Sequence, residues 1–108
     1  MAWTVETLNE TVDAELEELP ADMRARFEYI SRLIEDFGLE RVREPHVKHW
    51  QETLWEMRLR GKDGISRAIY VTARRQRVVV VRVFVKKSER TPRREIDLAL
   101  QRAKEVRQ

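Results

Sequence analysis

The sequence predicts an α+β fold: a small antiparallel meander sheet with an N-terminal helical hairpin and a C-terminal helix. Three observations carry that prediction. Residues 54–87 read as three β-rich runs joined by short turn-forming segments. Ahead of them Met23, Phe27, Ile30, Ile34 and Phe37 recur at helical spacing along one stripe. Behind them Thr91-Pro92 opens a last stripe of Ile96, Ala99, Leu100, Ala103 and Val106.

The predicted strands span residues 54–60, 65–72 and 77–87. Gly61-Lys62-Asp63-Gly64 joins the first two, and Ala73-Arg74-Arg75-Gln76 joins the second pair. Strand side chains alternate between faces, so Trp55, Met57 and Leu59 share one face while Glu56, Arg58 and Arg60 share the other. The third strand is apolar on both faces, as a central covered strand requires; Arg82 interrupts it and Lys86-Lys87 ends it. Arg67 lies inside the second strand, between Ile65 and Ile69. A charge within a strand is costly unless it meets water or a partner. One face of the sheet is therefore expected to gather guanidinium and ammonium groups.

Upstream, residues 3–7 read as a short strand, although Val5, Leu8, Val12, Leu16 and Leu19 also fit a helical stripe. A strand to residue 7 and a helix over 9–19 is the reading taken. Pro20 breaks the chain, Asp22 is placed to cap the second helix, and Gly38 suits the residue after its end. All helices are expected on one side of the sheet. Residues 39–53 are read as a connector, with Pro45 arguing against a continuous helix there. After a break at 88–91, Thr91 caps the last helix and Pro92 takes its first position. No repeat and no second domain is visible, so residues 1–108 are read as one domain.

Composition narrows the function. No apolar run reaches the length of a membrane span, and MAWTVETLNE lacks the pattern of a secretory signal. The absence of cysteine excludes disulfides and thiolate metal sites and fits a reducing cytoplasm. The net charge of +3 conceals an asymmetry: residues 1–40 carry a balance of −8 and residues 41–108 one of +11. Such a split favours an anion-binding half, with nucleic acid the commonest partner. Acidic helices that merely compensate a basic sheet are the competing explanation.

Leu54-Trp55-Glu56-Met57-Arg58, Arg67-Ala68-Ile69-Tyr70, and Phe84-Val85-Lys86-Lys87 with Thr91-Pro92 soon after resemble the phage-derived, HigB-like branch of the RelE/ParE toxin superfamily. The resemblance follows the element order from about Trp3 to Val106 and is sharpest over 54–95. It implies the toxin of a type II toxin–antitoxin system, an mRNA endoribonuclease (an mRNA interferase), often acting on the ribosome, that inhibits translation. It implies no metal and no cofactor. The 2′-hydroxyl beside the scissile bond attacks the phosphate, giving a cyclic phosphate and a free 5′-hydroxyl. The implied partners are mRNA and a cognate antitoxin, in this branch usually a helix-turn-helix, HigA-like protein.

By the same resemblance, Arg67 falls where the family places an arginine on the scissile phosphate. Lys87, and next to it Lys86, closes the last strand with a basic residue, and Arg58 points into the site. Two departures stand out: Ser66 replaces the family's tyrosine before the central arginine, and no C-terminal tyrosine exists. The second leaves the general acid and base open.

The chemistry needs charge stabilisation on a phosphorane, a proton acceptor and a proton donor. Arginine suits the first task, because its planar fork matches phosphate oxygens. Arg67 serves either that task or a salt bridge to a glutamate such as Glu56. Lys87 and Arg58 are the other catalytic candidates. Arg60, Arg82, Lys86 and His49 are read as RNA-positioning residues, with simple surface charge as the alternative. Trp50 either stacks on a base or joins the core, and Trp3 and Trp55 are expected in the core. A non-catalytic nucleic-acid-binding module and a protein-interaction module of the same fold remain as rival functions.

Overall fold

A computed structural model describes residues 2–87 and 90–108. The chain runs β1 (Thr4–Thr7), α1 (Glu10–Glu17), α2 (Ala21–Phe37), a 3₁₀ turn (Leu39–Arg41), β2 (Val47–Gln51), β3 (Leu54–Gly61), β4 (Gly64–Ala73), β5 (Arg77–Val85) and α3 (Arg93–Ala103). The strands form one sheet in the order β1-β5-β4-β3-β2. Strands β2 to β5 pair antiparallel, whereas β1 lies parallel to β5. The sheet is thus mixed, and the expected pure meander is its central part. With β1 as one edge, β5 becomes an interior strand, which is why Val78 to Val81 are buried on both faces.

Three other expectations are corrected. Residues 39–53 are not wholly irregular, because Val47–Gln51 form β2 opposite β3, with Val47 paired to Met57. Pro45 does not prevent this: it precedes the strand, and an edge strand tolerates proline at its entry. The helices are not all on one side. Met23, Phe27, Ile30 and Ile34 of α2 and Val12 of α1 join Met57, Leu59, Ala68 and Tyr70 in one core. Ala99, Leu100 and Ala103 of α3 join Ile69, Val71, Val79 and Val81 on the opposite face. Both parities of β4 and β5 are apolar, so both faces need cover. Phe37 does not share the buried stripe of α2; it is exposed at the helix end.

The capping expectations also change. Residue 20, a proline, is the N-cap of α2 and makes no side-chain bond, and Pro92 is the N-cap of α3. The Asp22 carboxylate instead accepts from Lys62 N–H at 2.8 Å, tying the first turn of α2 to the β3–β4 turn. Gly61 allows this approach, since a Cβ there would lie 2.7 Å from Asp22 Oδ2. At the end of α2, Gly38 adopts φ +90, as expected of a residue closing a helix there. Asn9 caps α1 through Val12 N–H at 3.1 Å. Of the break predicted at 88–91, Ser88 and Glu89 lie outside the described residues.

Two irregularities shape the functional face. Ile69 pairs with Arg82 and Tyr70 with Val80, leaving Val81 as the extra residue of a β-bulge. Strand β1 reaches only residues 77–80 of β5. Beyond it the exposed edge is completed by side chains: Val83 N–H donates to Glu15 Oε1 at 3.1 Å, and Arg102 Nη1 donates to the Val81 carbonyl at 2.9 Å. No helix among the described residues is long and apolar enough to cross a membrane.

Tyr70 is fully buried and its hydroxyl has no hydrogen-bond partner. Burial pushes the phenol pKa up, because the phenolate would be desolvated. The folded state therefore holds the proton more tightly than the unfolded chain, whose tyrosines lose it near about pH 10. Stability from this source is intact below that pH and declines as pH rises through it. In an alkaline titration followed at 295 nm and by circular dichroism, Tyr70 should ionise together with unfolding. Ionisation with the far-ultraviolet spectrum intact would contradict this.

Candidate nucleic-acid interface

Strand registry fixes the face that α1 and α2 do not cover. Arg58 lies opposite Arg67, and Arg67 opposite Phe84, forming one row across β3, β4 and β5. On one side of this row stand Lys48, Glu56, Ile69 and Arg82, paired in that order from β2 to β5. On the other side Arg60 pairs with Ile65, and Lys86 N–H donates to the Ile65 carbonyl at 2.9 Å. α3 covers Ile69, Val71, Val79 and Val81. Phe84 is a buried member of that apolar cluster, whereas Arg58 and Arg67 are not.

Two guanidiniums directly opposite on a ladder repel each other. Glu56, two residues before Arg58 on the same strand face, answers both. Its Oε2 accepts from Arg67 Nη1 at 2.6 Å, and its Oε1 lies 3.8 Å from Arg58 Nε. Glu56 is 1% exposed and Arg67 7%, while the Arg58 side chain is partly open to solvent. The Nε atoms of both arginines are buried without a hydrogen-bond partner. One carboxylate set against two guanidiniums leaves the cluster a net cation, with donors unused. Of the two sequence readings of Arg67, the salt bridge to Glu56 is the one observed here.

Arg82 is on the same face but is engaged otherwise. Its Nε and Nη2 donate to the two oxygens of Glu95 at 2.7 and 3.0 Å, and its Nη1 lies 2.8 Å from Glu15 Oε2. The Glu95 hydrogen bonds raise its pKa above the ordinary arginine value, outweighing burial. Arg102 Nη1 reaches the same Glu15 at 2.9 Å. This network fastens α1 and α3 to β5. Arg82 also lies over the Phe84 ring, 5.7 Å from its centroid.

The remaining sequence candidates divide. Arg60 is exposed at the end of the arginine row. Lys86 and Lys87 line a cleft of about 370 Å³ at the end of β5 with Phe84, Arg90, Arg94 and Glu18. Lys87 lies outside β5, which ends at Val85, two residues short of the predicted strand. His49 does not join the cluster. It pairs with Trp55, whose ring it meets edge-on at 5.0 Å, and its Nε2 donates to the Glu52 carbonyl at 2.8 Å. Trp55 itself is not core but 38% exposed. His46 meets Tyr29 of α2. Trp50 packs against the α3-side core, the apolar of its two readings.

Sequence reasoning did not select Lys48, Glu56 or Phe84 as site residues. Phe84 follows from Arg82 by simple alternation, and Glu56 from Arg58. Lys48 needed the strand β2, which lies in the stretch read as a connector.

Deleting Arg82 strands the buried Glu95 carboxylate and leaves Arg102 as the ion-pair partner of Glu15. Arg82→Ala should lower stability by about 1–3 kcal/mol. A lower urea midpoint with an unchanged m value is the expected signature, and an unchanged midpoint would contradict it.

Comparison with known proteins fits this geometry. No curated protein matches the chain by sequence. The E. coli toxin RelE, a substituted form in the free state, is 16% identical and matches with a TM-score of 0.66 over 94% of this chain and 98% of that one. The archaeal RelE–RelB complex from Pyrococcus horikoshii OT3 contains a chain 21% identical, with a TM-score of 0.54 over 81% of this chain and 98% of that one. The fold is therefore that of RelE. The family model described as "Phage derived protein Gp49-like (DUF891)" matches residues 14–104. The chain belongs to this family of phage-derived Gp49-like proteins, built on the RelE fold.

Proposed function

We propose that this chain is the toxin of a type II toxin–antitoxin system and that it cleaves mRNA in the cytoplasm, on translating ribosomes, without a metal ion. The observation that carries the reading is the registered Arg58–Arg67 pair, served by one carboxylate and flanked by Arg60 and Lys86. Across a sheet such a pair is unfavourable unless an anion completes it. A phosphodiester supplies that anion, and Arg67 and Arg58 stabilise the extra charge that develops on the phosphorane. The 2′-hydroxyl oxygen bonds to phosphorus as the P–O5′ bond breaks, leaving a cyclic phosphate and a 5′-hydroxyl.

Phe84 is buried in the α3-side cluster beneath Arg82, so it braces the row and does not offer its ring to a base. Arg60, Lys86 and Lys87 follow the backbone. Arg82 serves by holding Phe84 and α3, not by meeting phosphate. The RelE chain from Pyrococcus horikoshii is solved in complex with RelB, which supports an antitoxin as the protein partner here. A helix-turn-helix antitoxin of the HigA kind is the expectation for this branch.

A second reading has its own observation. Arg67 is sealed against Glu56, and the histidines lie off the face. Both facts suit a module that binds RNA without cutting it. Inducible expression in a bacterium, with mapping of mRNA 5′ ends, separates the two. The wild type should arrest growth and create new ends, and Arg67→Ala should reduce their rate of appearance on the order of 100-fold while remaining folded. Binding without new ends would leave the module reading ahead.

Single-stranded RNA affinity should also fall steeply with salt. Replacing one phosphate contact reduces the log–log slope by about 0.7. Arg60→Ala should show that reduction in a fluorescence-anisotropy salt series, and Arg82→Ala should not. Equal slopes for the wild type and Arg60→Ala would remove Arg60 from the interface.

A further inference from the structure

Resting on the reading of this face as an RNA-cleaving site, we infer that Glu56 is the proton acceptor for the attacking 2′-hydroxyl. The argument begins with what the face offers. An acceptor must be unprotonated at working pH and within reach of the hydroxyl. Arginine does not deprotonate in proteins, and a lysine is a cation that donates. The two histidines of the chain are engaged elsewhere, His46 with Tyr29 and His49 with Trp55. Glu95, the carboxylate on α3, is held by two bonds from Arg82. Among the described residues, Glu56 is the carboxylate that contacts both Arg58 and Arg67.

Its geometry suits the task. Oε2 is occupied by Arg67 Nη1 at 2.6 Å, but Oε1 has Arg58 Nε at 3.8 Å, too long for a hydrogen bond. Beside it lie two buried N–H donors without partners, Arg58 Nε and Arg67 Nε. Two unused donors and one under-used acceptor in one cluster match a phosphodiester and its neighbouring hydroxyl. The donors fit the phosphoryl oxygens, and the acceptor fits the 2′-O–H. Buried polar groups left unpaired are costly, and a ligand that completes them recovers that cost.

RNA competes with Glu56 for the same guanidiniums. Phosphate oxygens take over Arg58 and Arg67, and the carboxylate they release stands beside the 2′-hydroxyl. The O2′–H bond breaks with its proton passing to Glu56 Oε1. The oxygen's electron pair forms the O2′–P bond, and the P–O5′ bond breaks. The leaving O5′ keeps its electron pair and takes a proton from water, and Glu56 returns its own proton to solvent. Lys48, opposite Glu56 on β2, and Arg58 and Arg67 are the charges around this exchange.

The inference predicts that binding and turnover move in opposite directions. Glu56→Gln keeps shape and hydrogen-bonding capacity but neither accepts the proton nor competes as an anion. In a bacterial translation extract, Glu56→Gln should lose 10²–10⁴-fold in the rate of mRNA cleavage. It should bind a single-stranded RNA oligonucleotide at least as tightly as the wild type. A cleavage rate within threefold of wild type overturns the assignment, as does a loss matched by an equal loss of RNA affinity. Should Glu56→Gln fail to fold, Glu56→Asp withdraws the carboxylate by one methylene and should cleave at least tenfold more slowly with binding retained; full activity in that variant also overturns it. A folded wild type that never cuts mRNA removes the cleavage reading itself, and this inference with it. Cleavage by the wild type that survives Glu56→Gln removes the inference alone.

Discussion

Two guanidiniums opposite one another on a β-ladder repel, and Arg58 and Arg67 stand so because Glu56 is buried between them. That carboxylate is 1% exposed, which is tolerable only for a charge that is paired. Glu56 keeps the cationic pair together. Neither arginine is fully satisfied by it. The Nε atoms of both are buried without a hydrogen-bond partner, so the cluster keeps donor capacity that Glu56 does not use.

The rest of the fold decides which part of the sheet stays available. Strands β4 and β5 present apolar side chains on both faces, so α1 and α2 cover one face and α3 covers part of the other. The bulge at Val81 turns Arg82 toward α3. There Glu95 and Glu15 bind it, and Arg102 joins through Glu15 and the Val81 carbonyl. This network replaces the strand that β1 is too short to provide. A helix end and an open sheet edge are thereby closed by the same few charges, and in the arginine row beyond them Arg58 is partly open to solvent while Arg67 is buried.

Much of this was legible because alternation and periodicity are strong local signals. The parity of Trp55 to Arg60 separated core from charge, and the spacing of Met23 to Ile34 marked the buried face of α2. What the sequence hid was long-range. The parallel pairing of β1 with β5 joins residues more than seventy positions apart, and no local pattern encodes it. Residues 39–53, read as a connector, hold the strand β2 and with it the place of Lys48 opposite Glu56. Phe37 fits the α2 stripe by spacing, yet the helix outruns the sheet beneath it. Asp22 has the chemistry of a cap but is drawn to Lys62 N–H because Gly61 lets the turn approach.

The charge asymmetry takes on a different meaning once the arginines are sorted by partner. Acidic helices compensating a basic sheet is a correct account of part of the molecule: Glu15 of α1 answers Arg82 and Arg102, and Glu6 of β1 answers Arg77. Such pairs hold elements together and contribute little field outside the protein. The cations around Glu56 are different, since one carboxylate serves Arg58 and Arg67 while Lys48 and Arg60 stand on either side. The Arg58 and Arg67 side chains are held by Glu56, whereas Lys48 and Arg60 are exposed. A basic patch made of long surface side chains would have to be ordered first, at a cost in entropy for each one. Pairing Arg58 and Arg67 with a buried carboxylate removes that cost in advance for those two groups, which separates them from the other basic residues of the face.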